Sequence, residues 1–243
     1  MADVGVGAVI ATSVAIAALP FAIAMPPLAA AGAWVISTIG RSIAPVHQHC
    51  HAHYKIFGSA LADAAYDAIL MLAAGNTTAV WEQQHVRGHH QHYLGRVTDP
   101  ANNDRFGGGR LRFTILGDAC AFTDSLRIAG DRRARVKLWL QLAMQLAVLA
   151  AAFAANAALA FAFVVVPWLL LRWIVFWFSY AQHDDVPMLD VYSGSVTHFG
   201  WTNRMYLNVG HHTAHHEKPT LHWTRLPART ARILERIPST CLR

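Results

Sequence analysis

The chain has 243 residues, 54% of them hydrophobic and 14% charged, with a formal net charge of +6 and mean hydropathy +0.29. Soluble domains carry about 25% charged residues, so this composition excludes an ordinary water-soluble domain. The basic excess does not point to nucleic acid. No Lys or Arg precedes Arg41, and Arg172 alone falls between Lys137 and Arg204, a pattern set by membrane topology and anionic headgroups.

Residues 4–24 form a first apolar run. They lack a basic n-region, and the run exceeds the 7–15 residues of a signal h-region, so they read as a retained span. Met25, Pro26 and Pro27 make a turn, since Pro fixes φ and lacks a donor. A second run covers residues 28–46. Both are near the ~20 residues that cross a bilayer core.

Residues 59–80 differ. Leu61, Ala64, Ala65, Ala68, Ile69 and Leu72 fall on one stripe at helical spacing, with Asp63, Asp67 and Asn76 elsewhere. This reads as an amphipathic helix suited to the interface or a cytosolic cap. Residues 81–137 are polar and basic, broken at Gly107-Gly108-Gly109. Residues 138–180 are apolar over twice the length of one span, with Asn156 near the middle, and read as a hairpin of spans 138–156 and 159–180. Pro167 kinks the second without ending it, because neighbouring groups can satisfy the freed carbonyl. Trp168, Trp173, Trp177 and Tyr180 supply aromatic anchors.

The expected fold is all-α and integral to the membrane: four transmembrane helices in two hairpins, with a helical cap of residues 47–137 and 181–243. The whole chain forms one domain. Eighteen of the twenty Lys and Arg then lie off the spans on one side, Arg41 and Arg172 being the exceptions. The positive-inside rule makes that side, with both termini, cytosolic. Cys50, Cys120 and Cys241 match no zinc or redox spacing and read as separate thiols.

Fifteen histidines are present, most in three clusters on that same side. The first is His47, His49, His51 and His53. The second is His85, His89, His90 and His92, and the third is His211, His212, His215 and His216. Neutral imidazole is the commonest metal ligand. On an α-helix, residues i and i+4 share a face, which pairs His49 with His53, His47 with His51, and His85 with His89, His90 lying adjacent. His212, His215 and His216 combine spacings that can reach two metals. Eight such ligands exceed one tetrahedral site, so two metals are expected. Isolated His198 and His222 read as packing residues. His-Glu-x-x-His and Cys-x-x-Cys-His are absent. A membrane haem or electron-transfer protein and a metal-binding membrane protein remain alternatives, although a haem needs only one or two axial histidines.

The order His-x3-His, His-x2/3-His-His, His-x2-His-His on a four-span scaffold resembles the membrane fatty acid desaturase and hydroxylase superfamily. The stretch from Gln84 and His85 to Gly88, His89 and His90, with Thr98-Asp99-Pro100 beyond, is similar to the alkane hydroxylase pattern, with Gln84 in place of its Glu. Asn208, His212, His215, His216 and Pro219, with Leu226-Pro227, resemble the desaturase ending. The likeness covers roughly residues 40–230. It adds His183 as a ligand after the last span, and Phe57 favours His49 and His53 over His47 and His51. The implied set is His49, His53, His85, His89, His90, His183, His212, His215 and His216. Asp99, Asp184, Asp185, Asn208 and Glu217 are candidates to orient them, with Asp184 and Asn208 chosen.

An all-nitrogen site suits iron over calcium or magnesium. The resemblance implies two iron ions that activate O2 against an unactivated C–H bond of a lipid or acyl chain, giving a double bond or an alcohol. No further acid or base is assigned. The chain carries no cytochrome b5 segment, Rossmann glycines or rubredoxin cysteines. A separate ferredoxin, rubredoxin or cytochrome b5-type donor is therefore expected, steered by the basic face around Arg127, Arg132, Arg133, Arg135 and Lys137.

Overall fold

The computed structural model describes residues 1–95 and 98–243. The fold is 73% helical, and no strand forms among the described residues. The main helices are α1 (Ala2–Ala22), α2 (Pro27–Arg41), α3 (Ala44–His53), α4 (Ala60–Ala74), α5 (Gly109–Ile128), α6 (Arg132–Ala155), α7 (Ala157–Gln182), α8 (His212–Glu217) and α9 (Leu226–Ile233). Among the described residues, α1, α6 and α7 are long and apolar enough to cross a membrane. Helix α2 has 15 residues, about 22 Å at 1.5 Å per residue, against a hydrocarbon core of about 30 Å. It ends at Arg41 because Pro45 has no N–H and its ring would strike that carbonyl. After a turn at Ser42 and Ile43 the chain resumes as α3.

The chain divides into two compact units. The first comprises Met1–His51, Lys55–Ala79 and Asp131–Arg172. Here α1 and α2 approach closely: a Cβ on Gly40 would lie 2.0 Å from Ser13 Oγ. Ile10, Ala44, Tyr66, Leu70, Ala73 and Ala74 form the core. Pro167 has the consequence its chemistry demands. The preceding turn, Ala160–Val165, widens to a π-helix. The carbonyls left over are capped by side chains of α2, Trp34 Nε1–H donating to Ala162 O (2.8 Å) and Arg41 Nη1–H to Phe163 O (3.2 Å).

Helix α4 turns its apolar stripe outward: Leu61 is 83% exposed, and Ala64 and Ala65 are exposed too. Asp63 and Asp67 are buried beside Tyr66 and Leu70. Helical periodicity shows that two faces differ, but which face turns inward depends on the surrounding medium. In lipid the apolar face is the one that can be exposed without cost, and charges turn inward to find partners. Asp67 finds His51, Lys55 and Lys137.

The second unit comprises Ala52–Tyr54, Val80–Gly130 and Trp173–Arg243. Its core gathers Ala214, Leu226, Ile233, Ile237 and Cys241. Arg105 forks onto Asp124 of α5, with Nη2–H donating to Oδ1 at 2.8 Å. Gly117 lets α5 approach Phe176, whose Cδ1 would lie 2.9 Å from a Cβ there. An isolated parallel bridge joins Thr197 to Leu242. This unit carries all but one of the nine histidines named above.

Candidate metal centre

The second cluster sits on a π-helix, Trp81–His89. The wider turn places residues i and i+5 on one side. His85 and His90 therefore converge, with Nε2 atoms 3.0 Å apart, while His89 points elsewhere. This corrects the α-helical pairing of His85 with His89. Gly88 lets the turn meet Pro100 and Ile128: a Cβ would lie 2.7 Å from Pro100 Cγ and 2.9 Å from Ile128 Cδ1.

Two groups result. In one, His53, His85, His90 and His215 bring ligand nitrogens within 4.8 Å of one another, and His90 Nε2 lies 3.0 Å from His215 Nε2. His49 stands one turn before His53 on the same face of α3. In the other group, His89, His183, His212 and His216 are all buried. Their Nε2 atoms lie 3.2 Å (His89 to His216), 3.1 Å (His212 to His183) and 3.1 Å (His216 to His212) apart. Helix α8 divides its histidines by spacing: His212 and His216, at i and i+4, go to one group and His215 to the other.

The spacing fits a metal. With metal–nitrogen bonds of about 2.1 Å, neighbouring nitrogens stand about 3.0 Å apart at right angles and about 3.4 Å apart in a tetrahedron. The protonation states fit as well. Burial, then the neighbouring His89, pushes His53 down to about 4. Burial, then His89, pushes His183 down to about 3, and burial with four histidine neighbours holds His216 well below its ordinary value. At neutral pH these imidazoles keep the free lone pair that ligation needs. A set of imidazoles without thiolate suits iron, copper, nickel or zinc rather than magnesium or calcium.

Orienting groups are visible behind the ligands. Both carboxylate oxygens of buried Asp99 accept from His89 Nδ1–H, at 2.8 and 2.9 Å. The carbonyl of Gly194 accepts from His183 Nδ1–H at 2.9 Å. Each turns the Nε2 lone pair inward. Asp184, chosen to orient His183, accepts at its backbone carbonyl from Arg243 Nη2–H (3.2 Å). Asn208 donates from Nδ2 to Trp223 O (3.2 Å) and accepts at its backbone from His211 N–H. Glu217 pairs with Arg229. Asp99 carried a usable signal in Thr98-Asp99-Pro100. Gly194 and Tyr93, whose ring lies against this group, carried none in spacing.

The alternative first-cluster pair is engaged in the first unit. His47 Nδ1 lies 2.6 Å from Tyr66 Oη and Nε2 3.1 Å from Asp3 Oδ1. His51 Nδ1 accepts from Ile56 N–H at 3.3 Å, and its Nε2 faces Asp67 Oδ1 at 3.3 Å. His222 bonds locally to Thr224. Cys50, Cys120 and Cys241 form no disulfide.

A family model described as "Fatty acid desaturase" matches residues 22–243. A sphingolipid delta(4)-desaturase of Komagataella phaffii is 42% identical over 48 residues, a match covering 20% of this chain and 12% of that protein.

Proposed function

Because this chain belongs to the fatty acid desaturase family, we propose that it is an O2-dependent di-iron membrane oxidoreductase that desaturates or hydroxylates a lipid or acyl chain. One observation carries this reading: two groups of imidazole nitrogens converge at the spacing of metal ligands. The nine ligands are His49, His53, His85, His90 and His215 for one iron and His89, His183, His212 and His216 for the other. Iron bound there supplies the O2 chemistry that breaks an unactivated C–H bond.

The remaining work falls to the chain itself. Asp99 and Gly194 hold Nδ1–H of His89 and His183, so that Nε2 presents its lone pair. Burial of the four-histidine group keeps bulk water away and holds His183 and His216 neutral. The apolar helices let a hydrocarbon chain reach the site without leaving the bilayer. Electrons come from a separate donor of ferredoxin, rubredoxin or cytochrome b5 type.

Four crossings in two hairpins, with α2 and the start of α3 completing the second, place both termini and the histidines in the cytosol. A reporter after Arg243 active only outside the cytosol would refute that orientation. The function is tested by metal analysis of detergent-purified protein, together with mass spectrometry of lipids from an expressing host. Two irons per chain and a product changed by two hydrogens or one oxygen are expected. One zinc, no iron and unchanged lipids would overturn the reading.

A further inference from the structure

Metal-bound histidines almost always donate the second ring N–H to a carboxylate, carbonyl or water, which fixes the ring's rotation. His89 has Asp99 and His183 has the Gly194 carbonyl for this purpose. His216 differs. Its Nδ1 is buried and has no hydrogen-bond partner among the described residues, yet its Nε2 lies within 3.2 Å of both His89 and His212. No protein group among the described residues sets the rotation of this ring by a hydrogen bond to Nδ1.

The neighbour in place is Tyr93. Its ring lies 3.9 Å from the His216 ring, centroid to centroid, at an interplanar angle of 14°. The same ring meets His89 and His183 edge-on, at 5.7 and 5.9 Å. Face-to-face contact restricts a ring's rotation, since turning either plane drives edge atoms into the other face. Gly194 leaves room for this arrangement. A Cβ on Gly194 would lie 2.5 Å from Tyr93 Oη and 2.5 Å from Leu94 Cδ2. Gly194 thus admits the Tyr93 ring with its bare Cα and orients His183 with its carbonyl.

We propose that Tyr93 is a positioning residue for the four-histidine group: its ring face holds the His216 imidazole as hydrogen bonds hold His89 and His183, and Gly194 provides the space in which that ring stands. The inference rests on the reading that His89, His183, His212 and His216 hold a metal.

The test uses full-length protein in detergent, stripped of metal and titrated with Co2+, whose visible absorption reports coordination. Wild type is expected to take two Co2+ per chain. Tyr93→Phe keeps the ring face and should match wild type in stoichiometry and spectrum. Tyr93→Leu removes the face and should weaken one of the two Co2+ by about 10–100-fold, the range seen when an orienting partner is lost, with an altered band and an unchanged melting temperature. Gly194→Ala should do the same by displacing the ring. If Tyr93→Leu does not accumulate, Tyr93→Met fills similar volume without a plane and is read the same way. Leu and Met variants that bind both ions as wild type does would overturn the proposal. So would a Tyr93→Phe variant as weak as Tyr93→Leu, because the hydroxyl would then be the active feature. Wild-type protein that binds no Co2+ is a separate failure, that of the metal reading itself.

Discussion

His89 and Asp99, ten residues apart, meet through both carboxylate oxygens, at 2.8 and 2.9 Å from the ring nitrogen. Asp99 is 3% exposed and also accepts from Ala101 N–H at 2.8 Å. Its charge is therefore held by hydrogen bonds from two directions. Asp99→Ala leaves the buried Nδ1–H without an acceptor, at a cost of about 1–3 kcal/mol. Iron bound to the purified variant should fall, with affinity reduced about 10–100-fold. Unchanged iron content in Asp99→Ala would show that the pair does not orient a ligand.

The π-turn makes a prediction about pairs. His85→Ala and His90→Ala act on one group, so the double variant should lose no more metal than either single one. His85→Ala combined with His89→Ala touches both groups and should leave the chain without metal. Metal per chain, measured by mass spectrometry for each combination, separates this from α-helical pairing, which gives the opposite ranking.

Helix α3 uses its two faces differently. His49→Ala and His53→Ala should cost the iron of that one group and abolish product formation. His47→Ala should spare the iron but strand Tyr66 Oη, lowering stability by about 1–3 kcal/mol. Thermal unfolding and product analysis at matched protein level check both halves. An inactive His47→Ala with normal stability would move the site to the other face.

Two glycines test the packing of the first unit. Gly75 ends α4 at φ +68°, and a Cβ there would lie 2.3 Å from Trp168 Cγ; Gly58 has φ +63° with open space around it. Gly58→Ala bears only the left-handed backbone cost, about 1–2 kcal/mol. Gly75→Ala adds overpacking of about 1–3 kcal/mol. The melting temperature of Gly75→Ala should drop clearly further. Equal drops would mean that Trp168 yields at no cost.

The sequence by itself determined which segments are apolar, where they turn, and that the histidines fall in three clusters of ligand spacing. These properties depend on side-chain type and on distances along the chain. It also told how Pro167 would be tolerated, because the missing N–H is a local fact. Tertiary structure decided what depends on groups far apart or on the surrounding medium. A π-turn moved His89 away from His85, since one extra residue per turn is invisible to a 3.6-residue period. Asp99 and the Gly194 carbonyl stand behind His89 and His183, because the fold returns them to the ring nitrogens from ten and eleven residues along the chain. Helix α4 turned its aspartates inward and its apolar stripe outward. The spacing of Leu61, Ala64, Ala65 and Ala68 locates that stripe, but the solvent on either side decides which way it faces.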